Sequence, residues 1–282
     1  RGEKGQPITI TVSRDGTEPF EVKIIRDIIK IQSVKSEVYD DIGYLRITSF
    51  TEQTEDGLLK SIKKIQKENK NIKGFVLDVR SNPGGLLSQA VKVSDIFLTR
   101  GEIVSTRGRE SKDIRRYRAK NKDHTNGKPI VVLINGGSAS ASEIVAGALQ
   151  DHRRAIIVGT QSFGKGSVQT IMPFQRSNAD NVSGIRLTTA RYYTPSGESI
   201  QGKGISPDII VEQGEFESYD FKRYSESDLK DSLDKDDENA NDENAEENEL
   251  SEKEKRLAKD YQLQRALDLL KGLSIFEESF EE

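Results

Sequence analysis

Cysteine is absent from this 282-residue chain, which excludes disulfides, a thiol nucleophile and thiolate metal sites in one step. That lack is compatible with an oxidising compartment. Histidine is scarce: His124 and His152 are the only two, so the commonest general base in proteins has few candidates. Long apolar runs are missing as well, and no stretch approaches the roughly 18 to 20 apolar residues of a membrane-spanning helix. No signal peptide opens the chain at Arg1-Gly-Glu-Lys-Gly5. Because that opening lacks an initiator Met, an export signal and the beginning of a module are expected upstream of it. A basic excess is also missing. The 43 Lys and Arg against 47 Asp and Glu leave a formal charge of -4, which argues against nucleic acid as the main partner, since phosphate binding needs a basic surface. The local exception, Arg107 to Lys122, reads as a solvated surface loop.

The 33% of hydrophobic residues is low for a globular chain, but it is concentrated between about Tyr44 and Val211. Before that region, Ile8 to Ser13, a turn at Asp15-Gly16, and Phe20 to Ile31 read as β-strands that end a module and cannot make a core alone. From Ile42 onward strands and helices alternate. Strands are expected at Gly43 to Ile47, Gly74 to Val79, Ile130 to Ile134 and Ala155 to Val158. Helices are expected after an N-cap at Thr54, over Leu86 to Leu98 and over Ser140 to Gln150. The fold class is therefore mixed α/β, a layered core with a β-rich part from Ser167 to Val211. Between Tyr224 and Leu250 the chain carries Asp, Glu and Asn with almost no large apolar groups, and residues 213–250 read as a disordered acidic linker. Ser251-Glu-Lys-Glu254 reads as a capping box opening a helix closed by Gly272. Its stripe of Leu257, Tyr261, Leu263, Leu267 and Leu270 is a docking or oligomerisation face.

One stretch carries chemistry. Gly136-Gly-Ser-Ala-Ser-Ala-Ser-Glu143 joins the buried strand at Ile130 to Ile134 to a helix start, where a tight turn and free backbone N-H groups favour developing negative charge. Ser138, Ser140 and Ser142 are the candidate nucleophiles. A serine needs a neighbouring base. His124 lies in a polar, turn-like segment, and His152 falls at the far end of the nucleophile helix, about 15 Å or more from its start. A histidine triad is improbable on that geometry.

Lysine is the remaining base, and Phe163-Gly-Lys165-Gly-Ser-Val-Gln169 sets one in a glycine-flanked turn. A lysine accepts a proton only when neutral, a form that desolvation favours and a nearby carboxylate opposes. Phe163, Val168 and the small residues of the serine turn are the expected desolvating wall, and Gln169 could hold the amine without adding charge. Gly159 to Lys165 also fits G-x-x-x-x-G-K, but Gly166 stands where a phosphate loop needs Ser or Thr, and a strand follows where it needs a helix.

With Ala148-Leu-Gln-Asp151, these segments resemble the carboxyl-terminal processing proteases, tail-specific serine peptidases with a Ser-Lys dyad. Asp78-Val-Arg-Ser-Asn-Pro-Gly-Gly85 is similar to the family's oxyanion loop, and Tyr193 to Asp208 to its C-terminal signature. The resemblance covers roughly residues 1 to 212. It implies Ser140 as nucleophile, 25 positions before Lys165 as the base. It further implies Gln169 as the lysine's positioner, an oxyanion hole of backbone N-H groups from Ala141 and Gly85, with Gly84 as the alternative, and a structural role for Asp151. Residues 1–31 resemble the last strands of a PDZ domain, followed by a peptidase core over 32–212. Implied too are polypeptide substrates with apolar or unstructured C-termini, no metal or cofactor, a possible homo-oligomer through the C-terminal helix, and the periplasmic side of a bacterial cell envelope. The rival expectations are a non-catalytic peptide-binding scaffold of the same fold and a small-substrate acyl-transfer enzyme.

Overall fold

The computed structural model describes residues 2–27, 32–120, 122–174, 183–214 and 257–278. The acidic linker beyond Gly214 and the capping box at Ser251 to Glu254 lie outside the described residues, as do the last residues of the expected Phe20 to Ile31 strand. The chain divides into two compact units, Arg1–Gln32 and Ser33–Glu282. The first is an antiparallel hairpin of β1 (Pro7–Arg14) and β2 (Thr17–Ile25), turned at Gly16 with φ 80°.

The second unit opens with β3 (Val34–Tyr39), β4 (Ile42–Ile47), α1 (Thr54–Glu68), β5 (Gly74–Asp78), α2 (Leu87–Asp95), β6 (Glu102–Arg107) and β7 (Arg115–Arg118). It continues through β8 (Ile130–Ile134), α3 (Ala141–Asp151), β9 (Ile156–Gly159), β10 (Ser167–Pro173), β11 (Gly184–Tyr193), β12 (Ile209–Ile210) and α4 (Tyr261–Glu278). One six-stranded sheet has the order β12-β9-β8-β5-β4-β3, parallel except for the antiparallel β3. Continuous apolar runs mark its central strands because both faces are covered.

Alternation along each strand divides those runs between two cores. Phe75, Leu77, Ile130, Val132 and Ile134 pack with Leu58, Ile62, Val93, Ile144 and Leu149 of α1, α2 and α3. Val76, Val131 and Leu133 point the other way and meet Leu263, Ala266, Leu267 and Leu270 of α4. The apolar stripe of the tail helix is therefore buried on this chain's own sheet. Gly272, expected to close that helix, lies inside it: packing of Leu270 and Ser274 overrides the weak helix preference of glycine. Thr54 is likewise the first residue of α1 and not its cap. Its buried hydroxyl is engaged with Ser33 and the Thr51 N-H instead.

A second, antiparallel sheet has the order β10-β11-β6-β7. It corrects the reading of Arg107 to Lys122 as only a solvated loop, since Arg115–Arg118 forms the edge strand β7. Pairing with β6 makes it a strand, in which Tyr117 packs against the core while Arg115, Arg116 and Arg118 stay in solvent. The parallel topology gathers the segments after β5 and after β8 at the carboxyl ends of adjacent strands, where α/β sheets bind their ligands.

Candidate active site

The segment after β8 turns sharply into α3, and the turn falls on Ser140, a non-glycine residue held at φ 57°. Such a backbone costs about 1 to 3 kcal/mol and persists only where its surroundings over-determine it. The other two serines are committed elsewhere. Ser138 is fully buried and donates to the Val79 carbonyl at 2.8 Å, and Ser142 is fully buried and donates to the Asn82 carbonyl at 2.9 Å. Ser140 alone of the three is half exposed. It stands at the N-terminus of α3, where the first backbone N-H groups lack intrahelical acceptors.

Glu143, one turn into the helix and completely buried, joins this turn to the lysine loop. Its Oε2 accepts the Ser140 N-H at 2.7 Å and the Lys165 N-H at 2.9 Å. Its Oε1 accepts the Ser162 hydroxyl at 2.6 Å and the Gly164 N-H at 2.5 Å. Two residues 25 apart in sequence thus hang from a single oxygen, which makes their backbones neighbours. The carboxylate is filled by these donors, and among the described ion pairs it makes none with Lys165. The lysine loop is pinned further by Phe163, whose N-H donates to Ser138 at 3.0 Å, and a Cβ on Gly166 would collide with the Gln201 backbone.

Facing the serine turn is Asn82-Pro-Gly-Gly85. Asn82 is buried and uses every polar atom of its side chain and its carbonyl: Nδ2 donates to Ile47, Oδ1 accepts the Gly84 N-H at 2.9 Å, and the carbonyl accepts the Ala139 N-H and the Ser142 hydroxyl. Gly84 lies so close to the serine turn that a Cβ there would sit 2.9 Å from the Ala141 nitrogen and from the Ser140 Cβ. Its N-H is spent on Asn82. The Gly85 N-H makes no hydrogen bond among the described residues, while its neighbours pair with Phe50 through the Gly84 carbonyl and the Leu86 N-H.

The remaining expected residues are placed as follows. Asp151, at the far end of α3, accepts the Ser196 N-H at 2.7 Å and anchors the turn after β11. His152 caps the same end and its Nε2 lies 2.7 Å from the Glu102 carbonyl. Lys165 is half buried. Gln169 is exposed on β10, and no hydrogen bond joins it to Lys165 among the described residues. Phe163, expected to wall the lysine, is 67% exposed, because its backbone is tied to Ser138 with the side chain turned outward. Val168 does pack against the core.

Residues 41–211 match the model of a family described as peptidase family S41. The chain belongs to peptidase family S41. Its S41 relatives include a carboxy-terminal-processing protease of Bartonella bacilliformis, 61% identical over 222 residues, spanning 78% of this chain and 50% of that protein. The carboxy-terminal processing protease CtpA of Bacillus subtilis is 38% identical over 75% of this chain and 44% of its own length. Among solved structures, a photosystem II D1 C-terminal processing protease superposes with a TM-score of 0.57 at 31% identity, covering 75% of this chain and 57% of that one. The S41 chain thus spans about half the length of the curated relatives it matches.

Two functional features of this S41 site escaped the sequence reading. Glu143 is one, although Ser140-x-x-Glu143 has the spacing of a capping box and could have been marked from it. The other is a charged cluster behind the Asn82 to Gly85 loop. Arg80, buried, binds Asp78 through Nε and Nη2 and reaches Asp260 and Gln262 beside α4. Asp78 also accepts the Tyr44 hydroxyl at 2.7 Å. Burial and then the Asp78 charge push the Tyr44 phenol well above its ordinary pKa. Burial alone would push the Asp260 carboxyl up, but the Arg80 hydrogen bonds and charge outweigh it and hold it below the usual range. Arg80 lacks any near-term way to lose its proton.

Proposed function

We propose that the chain is a serine endopeptidase that cleaves polypeptides at or near their C-terminal region through Ser140 and Lys165. The observation that carries this reading is the shared Glu143 carboxylate, which ties a strained, partly exposed serine at a helix start to the lysine loop that follows β9. Lys165 Nζ takes the proton of Ser140 Oγ as the oxygen attacks the scissile carbonyl carbon. The carbonyl oxygen becomes an oxyanion that the Ala141 and Gly85 N-H groups stabilise, neither of which donates to another acceptor among the described residues. Collapse of the tetrahedral species breaks the C-N bond, and Lys165 returns the proton to the leaving amine. Water then attacks the acyl-serine, giving its proton to Lys165, and the second collapse releases the acid and restores the hydroxyl.

Gln169 enters the proposal as positioner of the lysine amine. The substrate class and the C-terminal preference follow the names of the relatives, and the reading of residues 1–31 as the closing strands of a PDZ domain follows their sequence resemblance. A site on the periplasmic side of a bacterial envelope belongs to the same proposal. No described helix is long and apolar enough to cross a membrane.

Hydrolysis of an unfolded protein by Ser140→Ala and Lys165→Ala chains tests the dyad. Each is expected to lose at least about a thousandfold in kcat while keeping its fold, and the double variant to be no worse than either, as for residues that act as a unit. Wild-type turnover in either single variant overturns the proposal.

A further inference from the structure

We infer that Asp260, at the start of the tail helix, is a positioning residue for the oxyanion loop and acts through Arg80. The inference rests on the reading of Ser140 as nucleophile and Gly85 N-H as oxyanion donor. Arg80 is the second residue of the loop that leads from β5 to Gly85, and its guanidinium is held on two edges. Asp78 takes one edge, with Oδ1 3.1 Å from Nε and Oδ2 2.7 Å from Nη2. Asp260 takes the other with two bonds of 2.7 Å, and Gln262 Oε1 adds a third at 3.0 Å. The Arg80 side chain is only 8% exposed and Asp78 is fully buried. Bidentate pairing of a planar guanidinium fixes orientation as well as distance.

What that fixation controls lies in the next residues. Ser81 follows at φ 53°, a left-handed conformation that a serine keeps only if both sides hold it. On the far side its N-H donates to Asn135 Oδ1 at 2.8 Å, and the same oxygen accepts the Gly137 N-H of the serine turn at 3.0 Å. On the near side the restraint is Arg80. Asn82 comes next and bonds Gly84, Ala139 and Ser142 directly. The tail helix is therefore two residues removed from the clamp that aligns Gly85 with Ala141. Its apolar stripe secures it to the sheet, and Gln262 fastens the same end to the Val211 carbonyl at 2.7 Å.

The test compares Asp260→Asn and Asp260→Glu in the 282-residue chain with the parent chain. The Asn variant keeps the size and one acceptor but loses the charge and the second bond to Arg80; the Glu variant keeps both. Thermal melting followed by circular dichroism checks the fold. Asp260→Asn is expected to lower kcat by about tenfold with KM within about twofold, less than the hundredfold or more that follows complete loss of an oxyanion donor. Binding of a peptide aldehyde, whose tetrahedral adduct places an oxygen at the oxyanion position, should weaken by the same factor, while a product peptide binds unchanged. Asp260→Glu should recover most of the loss. A folded Asp260→Asn chain with parental kcat and aldehyde affinity overturns the inference and leaves the dyad standing. Equal weakening of aldehyde and product peptide overturns it too, as that marks general loosening. Hydrolysis that survives Ser140→Ala defeats the reading beneath it and the inference together.

Discussion

Glu143 concentrates four hydrogen bonds on one buried carboxylate, and its loss has a cost that can be separated from chemistry at the nucleophile. Glu143→Ala strands two backbone donors of the lysine loop, one of the serine turn and the Ser162 hydroxyl. Each buried group without a partner costs about 1 to 3 kcal/mol, so the variant should unfold in urea at least about 3 kcal/mol earlier and lose most activity. Ser142→Ala removes one donor to a carbonyl that keeps the Ala139 N-H, so about 1 kcal/mol and near-parental turnover are expected. An inactive but stable Ser142→Ala would contradict the assignment of the serines. Residue identity was legible here only in part. The small-residue turn marked three serines, whereas their separation depends on which hydroxyls the Val79 and Asn82 carbonyls claim. Those partners lie 59 and 60 residues away, and no local pattern encodes them. The outward Phe163 was misread for the same reason, since its backbone bond to Ser138 decides where its ring goes.

At the scale of elements, the strands that are apolar throughout were legible, and two polar ones, β3 and β7, were not. β5 and β8 are buried at every position and read directly from their hydrophobic runs. β3 and β7 carry charged side chains and become strands by pairing with β4 and β6, a tertiary fact. The tail helix was legible as an amphipathic stripe, but the stripe does not name the surface it covers. Its docking yields two expectations. Leu267→Ala, at a site 5% exposed within the cluster that holds Val131 and Leu133, should cost about 2 to 5 kcal/mol by urea unfolding. Acid should release the Asp260 contribution. A carboxyl whose folded pKa is depressed stabilises the fold fully above its unfolded pKa of about 3.9, and that stability is lost as pH falls through the lower folded value. The stability gap between the parent chain and Asp260→Asn should therefore be constant from about pH 7 to 5 and shrink below about pH 4. A gap that stays constant at low pH would contradict the ion pair with Arg80.

Taken as a whole molecule, the S41 chain uses one α/β core to bring together segments from three regions: the loop after β5, the turn after β8 and the loop before β10. Ser140, Gly85 and Lys165 come from one each. The parallel sheet puts the first two at adjacent strand ends, and Glu143 draws in the third. The central claim is that Ser140 is activated by Lys165. Its most direct measurement is labelling of the intact chain with a fluorophosphonate across a range of pH, with the modified residue mapped by peptide mass spectrometry. The label should fall on Ser140, its rate should show no plateau near the pH of a histidine base, and Lys165→Ala should abolish it. A label on another serine, a rate that levels off at the pH of about 6 to 7 characteristic of a histidine base, or undiminished labelling without Lys165 would contradict the account.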